Sequence, residues 1–491
     1  MTEENNVGSI LVVGAGIAGI KSALELAETG YKVILTDSSP QVGGILSKLD
    51  HQFPTDHCGM CRMLPLIGRE YASQHCMRKS LFHDNIEILP FTEVKSIQGD
   101  VGAYKVDLLK KARYVNTDVC NGLGRCVDVC PIEVPDEFNH GLTMRKAIYQ
   151  PVPHNIPQML LIDAQACDKC GECVKVCPVG AVDLEAQDET SQVEVNAIIF
   201  ASGTTLYDPA TQDDAKAYTV SEDVVSSLAF ERILSGTGTY NGAIQRPSDG
   251  KLAKRIAWIQ CMGSRNRRQG RDYCSSICCM FALKEAVLAH EKGGSDVETT
   301  IFYMDMRTFG KDFYQYRQSA EEKYGVRLIR CRVQEVLREA DGTLLIRYFD
   351  PESGEFCTSR YDMVVLSTGQ APFEDNRKIA ELLGLDLSSS GLIPTMDFEK
   401  VRTPKPGVFI CGSLMGLTDI SEAITGGIAA AGEASKLLSS INVNQINEEA
   451  PVPERQVDRQ TPLVSVILCR CRDEKAPEGL DPEPLRSAIE G

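Results

Sequence analysis

Residues 10–44 constrain the fold of this chain more than any other part of its sequence. An apolar stretch at 10–13 runs into three glycines spaced G-x-G-x-x-G, and a helical pattern follows. In nucleotide-binding βαβ units the first glycine permits the tight turn, the second lets backbone approach a pyrophosphate, and the third lets the helix pack on the strand. A second apolar stretch ends about 20 residues later in an acid suited to a ribose hydroxyl. The segment therefore predicts a flavin or nicotinamide site formed by Gly14, Gly16, Gly19, Asp37, Gly43 and Gly44.

Length, charge and cysteine content limit the classes of protein to consider. With 491 residues and 43% hydrophobic residues, we expect two to four domains with cores of their own. No run of about 18 apolar residues is present and the first residues are polar, so we expect a cytoplasmic protein without membrane insertion. A net charge of −17 argues against nucleic acid or an anionic membrane surface as a partner. Nineteen cysteines without an export signal indicate metal ligands, iron-sulfur before zinc.

Seven of these cysteines lie in two runs between residues 114 and 183. The second run, C-x2-C-x2-C-x3-C-P, is typical of bacterial two-cluster ferredoxins, in which the cysteine before proline serves the other cluster. Leu123 stands where one cluster would have its fourth thiolate. That cluster is therefore a 3Fe-4S centre, or takes another ligand, or is absent from a single-cluster module. The predicted ligand sets are Cys167, Cys170, Cys173 and Cys130 for one cluster, and Cys120, Cys126 and Cys177 for the other.

A second nucleotide-type unit begins at residues 254–260, with its helix predicted at 282–292, but its first turn lacks the glycine triplet. The strands predicted at 197–205 and 362–370 resemble each other, each ending in a glycine, Gly203 or Gly369, that we assign to cofactor binding. Bulky side chains in the turn after 260 would obstruct a pyrophosphate, so we expect this lobe to have lost its nicotinamide. We predict a cluster there, with buried structural cysteines as the alternative. Its predicted ligands are Cys261, Cys274, Cys278 and Cys279.

The chain returns to the first lobe at residues 407–437. Gly412 ends a strand and Asp419 precedes a Gly/Ala-rich helix, whose N-terminus is expected to face the flavin. A polar, Pro-rich stretch after Ser440 is typical of a linker. Two isolated thiol pairs remain, for which we predict one shared cluster; a flexible tail and a redox dithiol at the first pair are the alternatives. The pairs are Cys58 with Cys61 and Cys469 with Cys471, while Cys331, Cys357 and Cys411 are expected to be structural.

Several motifs resemble the iron-sulfur flavin subunit of heterodisulfide reductase, known from methanogens and related anaerobic complexes, over residues 9–438. They are FPTDHCGMC, AIYQPVPHNIPQ, CMGSRN followed by YCSSICCM, YMDMRTFGK and CGSLMGLTDI. The resemblance implies FAD, a cluster on the four cysteines of the middle lobe, and a protein that splits electron pairs. It also implies a hetero-oligomer with heterodisulfide reductase B/C-like subunits and hydrogenase- or dehydrogenase-type electron donors. The family's separate N-terminal domain and second ferredoxin domain have no counterpart here, and Leu123 replaces a cluster cysteine.

These features together predict an α/β protein with two dinucleotide-binding, thioredoxin-reductase-like lobes and an inserted two-cluster ferredoxin domain. The expected cofactors are FAD and three to four 4Fe-4S clusters, one of which is a candidate 3Fe-4S centre. The FAD lobe is predicted to consist of three segments, 1–112, 186–250 and 371–440. The inserted domain is predicted at 113–185, the second lobe at 251–370, and the linker and tail at 441–491.

The favoured function is electron transfer between FAD, clusters and partner subunits, with no residue assigned a catalytic role. Electron bifurcation stays open, because it depends on redox potentials that spacing does not set. The alternatives are an NAD(P)H-dependent flavoprotein reductase, a dithiol-disulfide reductase using Cys58 and Cys61, and a noncatalytic scaffold.

Overall fold

The computed structural model describes residues 7–49, 83–152, 159–211, 215–216, 218–310, 312–372, 375–441 and 443–445. The predicted sites at Cys58, Cys61, Cys469 and Cys471 lie outside these residues. The helices are α1 (Ile17–Glu28), α2 (Arg125–Asp128), α3 (Glu172–Val176), α4 (Ser227–Leu234), α5 (Cys278–Gly293), α6 (Phe313–Glu322), α7 (Asn376–Leu383) and α8 (Ile420–Ser440). The strands are β1 (Ser9–Val13), β2 (Lys32–Asp37), β3 (Ile86–Pro90), β4 (Thr92–Gln98), β5 (Tyr104–Lys110), β6 (Glu133–Pro135), β7 (Met144–Lys146), β8 (Ile148–Tyr149), β9 (Leu161–Ile162), β10 (Glu189–Val195), β11 (Ala197–Phe200), β12 (Thr204–Leu206), β13 (Val224–Ser226), β14 (Arg255–Met262), β15 (Glu298–Tyr303), β16 (Arg327–Arg330), β17 (Arg332–Arg338), β18 (Leu344–Asp350), β19 (Glu355–Tyr361), β20 (Met363–Thr368), β21 (Gln370–Pro372) and β22 (Val408–Ile410).

The first lobe is a parallel sheet in the order β22-β11-β1-β2-β3, with α1 and α8 packed together on it. The central strand β1 is apolar and its residues 10–12 are fully buried, as expected for a parallel strand covered on both faces. Small residues let the two helices approach closely. A Cβ on Gly427 of α8 would lie 2.6 Å from Ala18 O of α1, and Ser22 Oγ donates to Gly427 O at 3.0 Å. The antiparallel sheet β10-β5-β4 completes the lobe.

The inserted domain lies between β5 and β10, and its described residues form two short helices and two pairs of antiparallel strands. The strand pairs are β6 with β7 and β8 with β9, and the two halves of the domain meet at an isolated bridge between Val115 and Val182. Its small core consists of apolar side chains together with six of its cysteines. Thiols therefore occupy space that aliphatic side chains would fill in a domain of this size.

The second lobe repeats the parallel architecture in the order β13-β20-β14-β15-β16. Its core is centred on Trp258 of β14, whose ring meets Phe230 of α4 edge-on at 5.4 Å between centroids. An antiparallel meander, β17-β18-β19, covers the other side. The two parallel sheets, one containing each predicted nucleotide-type unit, agree with the expected pair of related lobes.

A two-stranded antiparallel ribbon of β12 and β21 joins the lobes. β12 follows β11 of the first lobe and β21 follows β20 of the second, so each strand of the ribbon leaves its lobe at the carboxyl end of a parallel strand. Ligands of open α/β sheets bind at that edge. The ribbon therefore brings the binding edges of the two lobes together.

Two further expectations can be compared with the fold. The helix predicted at residues 282–292 begins at Cys278 instead, so two candidate ligands lie in its first turn. The predicted helix began four residues too late because cysteine has no strong helix preference and the N-cap, Ile277, supplies no side-chain capping bond. Among the described helices, none combines the length and the apolar character needed to cross a bilayer.

Candidate functional site

The three glycines of the first turn have different surroundings. Gly14 adopts φ +107°, and a Cβ there would overlap the Ala201 carbonyl. A Cβ on Gly19 would overlap Gly14 O, so only glycine lets α1 pack this closely on the turn. A Cβ on Gly16 would meet no protein atom within 4 Å. The outer two glycines are thus required by the fold, whereas the middle one borders open space, as a pyrophosphate site requires.

Asp37 at the end of β2 holds this turn in place. Its Oδ2 accepts a hydrogen bond from Ala15 N at 2.6 Å and its Oδ1 accepts one from Ser39 N at 2.7 Å. Burial raises the pKa of Asp37, and these two backbone bonds oppose the increase. The carboxylate therefore fixes the loops on both sides of the predicted ribose position, and direct contact with a ribose stays a prediction.

The loop after β2 closes over the glycine turn. Gly43 N donates to Ala15 O at 2.8 Å, with φ +125° at Gly43. A Cβ on Gly44 would lie 3.2 Å from Gly16 Cα. The two glycines therefore approach the open space beside Gly16, as their sequence position predicts.

The predicted flavin end of the site is built around the start of α8. Gly412 adopts φ +64°, and a Cβ there would lie 2.9 Å from Ala18 Cβ of α1. Asp419 is the N-cap of α8: its Oδ1 accepts from Glu422 N at 2.8 Å, and Asp419 N donates to Glu422 Oε2 at 3.1 Å. Asp419 thus stabilises a helix N-terminus that favours negative charge, and its predicted contact with the ribityl chain or phosphates is additional to this capping role.

The inserted domain contains a structural repeat that relates its two cysteine runs. Cys120 N donates to Asn116 O and Cys167 N donates to Asp163 O, both at 2.9 Å. The residues before α2 and α3, Gly124 and Gly171, both adopt left-handed conformations, with φ +77° and φ +79°. The repeat makes half-buried Leu123 the counterpart of Cys170, the third residue after the first cysteine in each run.

The first predicted ligand set surrounds one cavity. Cys130, Cys167, Cys170 and Cys173 all line it, together with apolar residues that include Ile148 and Ile162. Burial raises the pKa of Cys173, and the nearby thiols of Cys167 and Cys170 raise it further. The structure therefore brings together the four thiols that the crossed pattern assigns to one cluster.

The second predicted set is also brought together. Burial is the main cause that raises the pKa of Cys126 to about 11, and the neighbouring thiols of Cys120 and Cys177 add to the increase. Cys173 of the first set contributes as well, so the two sets are adjacent. This proximity suits electron transfer between two clusters.

Cys278 is paired with two of the other three middle-lobe cysteines. Cys278 forms hydrogen bonds with Cys261 and Cys279, which lower its pKa, while the bond to Cys278 raises the pKa of each partner. Cys278 and Cys279 lie in the first turn of α5, where a helix N-terminus favours thiolate. Cys274 Sγ accepts a hydrogen bond from Ser276 N at 3.4 Å. Cys331 and Cys411 lie elsewhere, and burial raises the pKa of each to about 12.

The turn that carries Cys261 differs from the glycine turn of the first lobe. Cys261 adopts φ +64°, and a Cβ on Gly263 would overlap the Tyr207 ring. Gly369 does not border the first-lobe glycines: a Cβ there would lie 2.5 Å from Ser275 Cβ, in the cysteine-bearing loop. Gly203, between β11 and β12, has φ +78° and borders open space.

The thiols of the first predicted set surround a cavity and do not converge on a point where a single metal ion could bind. Within the described parts of the chain, no three Cys, His, Asp or Glu side chains are arranged to hold one metal ion. Each thiolate of a cubane cluster binds a different iron atom, so cluster ligands surround a larger space. The donor set, four thiols around one cavity, fits an iron-sulfur cluster.

Two residues that the sequence did not single out contact the site. Gln370 Nε2 donates to Thr418 O at 2.7 Å, just before the N-cap of α8. Arg113 Nη1 donates to Pro40 O at 2.7 Å, in the loop after β2. Neither residue lies in a motif, so only their long-range contacts reveal them.

Family models match the two cofactor regions. An FAD binding domain matches residues 9–48, and two models described as 4Fe-4S dicluster domains match residues 119–182 and 159–210. The predicted cofactors, FAD and 4Fe-4S clusters, are confirmed at this level.

Similar proteins extend the comparison to most of the chain. The A-type component of the H(2):CoB-CoM heterodisulfide,ferredoxin reductase from Methanothermobacter thermautotrophicus is 38% identical over 430 residues, covering 87% of this chain and 63% of that protein. The A-type iron-sulfur component of a CoB-CoM heterodisulfide reductase from Methanopyrus kandleri is 40% identical over 433 residues, covering 88% of this chain and 64% of that protein. Over most of its length the chain is homologous to A-type heterodisulfide reductase subunits. It spans less than two thirds of the length of these relatives.

Among solved structures, this homologue of A-type heterodisulfide reductase subunits is similar to T. acidophilum thioredoxin reductase. The identity is 15% and the TM-score 0.46, with 88% of this chain and 98% of that chain covered. The predicted fold class, two α/β lobes with an inserted ferredoxin domain, is confirmed by the two parallel sheets of the fold and by the dicluster family models.

Proposed function

We propose that this chain is an FAD and iron-sulfur electron-transfer subunit of a larger anaerobic oxidoreductase. The observation that carries the proposal is the path between the second lobe and the predicted flavin end. Gly369 packs on Ser275 beside the middle-lobe thiols, and the next residue, Gln370, donates to Thr418 O at 2.7 Å. Thr418 immediately precedes the N-cap of α8. A cysteine centre and the flavin site are therefore linked through two consecutive residues.

The residues of the chain divide the work of holding the cofactors. FAD, when bound, exchanges electron pairs for single electrons, and clusters carry single electrons. The glycine turn and Asp37 hold the dinucleotide, and the N-terminus of α8 favours negative charge at the other end of the flavin. Burial of Cys126, Cys173, Cys278 and Cys279 keeps water from the proposed cluster sites.

The turn after β14 argues against the alternative of an NAD(P)H-dependent reductase. In the first lobe the middle glycine borders open space, whereas in the second lobe a cysteine occupies the turn and Gly263 packs on Tyr207. A pyrophosphate would have no comparable approach to this backbone. The dithiol alternative depends on Cys58 and Cys61, which lie outside the described residues.

We propose partner subunits by analogy with relatives named as parts of heterodisulfide reductases that also reduce ferredoxin. Electrons would pass to heterodisulfide reductase B/C-like subunits and arrive from hydrogenase- or dehydrogenase-type donors in a hetero-oligomer. The names of these relatives include two electron acceptors, heterodisulfide and ferredoxin. For this reason we also propose that the chain takes part in electron bifurcation. The location proposed for such a complex is the cytoplasm.

Anaerobic purification with its partners tests this function. We expect stoichiometric reducible FAD, iron in several clusters, and co-purifying redox subunits. Cys278→Ser should remove about one cluster's worth of iron, whereas the control Cys331→Ser should not, because Cys331 is buried in the meander away from the thiol groups. Rapid flavin reduction by NADH or NADPH alone, or equal iron in both variants, would contradict the proposal.

A further inference from the structure

A buried cation lies next to the predicted dinucleotide site. Arg113, three residues beyond β5, is only 8% exposed. Its Nη1 donates to Pro40 O at 2.7 Å. Its Nε and Nη2 are buried, and in the described residues neither has a hydrogen-bond partner. Burial lowers the pKa of Arg113 to about 10, so the guanidinium is still charged at neutral pH.

An unpaired buried charge is unfavourable enough to require an explanation. Leaving one partner of a buried ion pair alone is strongly destabilising, because the remaining charge has lost both water and its counter-charge. A guanidinium presents its nitrogens as a fork that matches the oxygens of phosphate or carboxylate. Two free nitrogens on one such fork therefore indicate a missing oxyanion.

The position of Arg113 identifies the oxyanion. Pro40, its backbone partner, belongs to the loop that runs from Asp37 to Gly43 and Gly44, and this loop lies against the open side of Gly16. The neighbouring side chain, Gln41, also has a buried oxygen, Oε1, without a partner in the described residues. An unsatisfied acceptor in the loop and two unsatisfied donors of the arginine bonded to it thus lie beside the pyrophosphate space.

Arg113 also connects this loop to the inserted domain. Its carbonyl accepts a hydrogen bond from Ile162 N of β9 at 3.1 Å, and Tyr149 of β8 is close enough to affect its pKa. The residue therefore lies where the inserted domain meets the FAD lobe. A ligand that pairs with its side chain would tie the two together.

We propose that Arg113 binds a phosphoryl oxygen of the FAD pyrophosphate, so that the inserted domain contributes a residue to the dinucleotide site. The inference rests on FAD binding by the first lobe and extends it to a residue outside the glycine motif. It predicts that the Arg113 guanidinium, which has no anionic partner among the described residues of the apoprotein, gains one when FAD binds.

The test uses Arg113→Met and a matched control, Lys110→Met. Lys110 also bears a positive charge, but it is exposed and pairs with Glu189. FAD affinity is measured by flavin fluorescence on anaerobic apoprotein, and ADP and adenosine are used as competitors because only ADP carries the diphosphate. Thermal unfolding is recorded with and without FAD.

Arg113→Met should weaken FAD and ADP binding at least tenfold and leave adenosine binding unchanged. It should keep or raise the melting temperature of the apoprotein, because an unpaired charge is removed, and lower that of the FAD-loaded protein. Lys110→Met should change none of these quantities.

Unchanged FAD and ADP affinity would overturn the inference. If the midpoint potentials of the clusters fall in Arg113→Met at unchanged FAD affinity, the anion is a cluster; if the apoprotein is destabilised, it is a carboxylate of the chain. A parent protein that binds no FAD would instead refute the proposed function, so the two failures are distinguishable.

Discussion

Alanine at positions 16 and 19 separates the two roles of the glycine turn. Both substitutions add one methyl group at the start of α1. At Gly16 the new Cβ meets nothing within 4 Å, and φ −79° is accessible to alanine. At Gly19 it would overlap Gly14 O and lie 3.2 Å from Ala201 Cβ. The same chemical change is therefore harmless to the fold at one site and disruptive at the other.

The expected magnitudes follow from these contacts. Gly19→Ala should destabilise the apoprotein by about 1–3 kcal/mol, since the atoms in the way are backbone and a strand-end methyl that cannot rotate aside. In a lobe of roughly 150–250 residues this lowers the melting temperature by about 2–4 °C per kcal/mol. At Gly16, an alanine N-cap costs roughly 1 kcal/mol, which a less flexible unfolded chain offsets by about 0.4–1 kcal/mol. Its methyl group projects into the pyrophosphate space, so FAD affinity should fall at least tenfold, or about 1.4 kcal/mol.

Thermal unfolding of the two apoproteins by circular dichroism measures the first effect, and FAD titration by flavin fluorescence measures the second. We expect Gly16→Ala to melt within a degree or two of the parent but to bind FAD weakly. If Gly16→Ala melts as low as Gly19→Ala, or binds FAD as the parent does, the division of roles is refuted.

Three more predictions concern other parts of the chain. Anaerobic EPR of the oxidised protein should detect a 3Fe-4S signal that Leu123→Cys abolishes; absence of the signal in the parent would mean that another ligand completes that cluster. Burial, with the nearby Glu231 carboxylate, raises the pKa of Glu285 well above its ordinary value, so the contribution of Glu285 to stability is full below about pH 4 and is lost as pH rises through its native pKa. As pH rises, the free energy of unfolding of Glu285→Gln should therefore increase relative to that of the parent by up to about 1.4 kcal/mol per pH unit. Unfolding is followed between pH 5 and 8 through the fluorescence of the single tryptophan, Trp258, which donates to Glu285 at 2.8 Å. Parallel pH profiles of the two proteins would contradict this. Truncation after Ser440 should remove one cluster's worth of iron if Cys469 and Cys471 complete a site with Cys58 and Cys61, and unchanged iron would exclude that site.

The parts of the fold predicted well are those that local geometry determines. The strand predicted at 10–13 is observed as Ser9–Val13, and the glycines after it have the packing that their spacing implies. Both features depend on residues that are close in sequence, where backbone conformation and side-chain volume leave few alternatives. The same holds for the cysteine runs, because each thiol is positioned by a turn of a few residues.

Contacts between distant segments could not be predicted. Arg113 and Pro40 are 73 positions apart, and nothing in the sequence around either residue indicates that a guanidinium would be buried between two domains. The contact of Gly369 with Ser275 is of the same kind: the strand-end glycine was assigned to cofactor binding, whereas it packs on the cysteine-bearing loop. Periodicity reports the face of an element and carries no information on its partner.

The second lobe explains how one fold can serve a different redox purpose. Its parallel sheet and the helix after its first strand are kept, but thiols replace the glycines at the turn. The same helix N-terminus that would favour a phosphate in a nucleotide site favours thiolates at Cys278 and Cys279. Since Gln370 bonds to Thr418 beside α8, the centre proposed at this turn would lie on the side of the lobe that faces the predicted flavin site. A lobe that would otherwise deliver hydride from a mobile nucleotide is thereby suited to hold a fixed one-electron centre in its place.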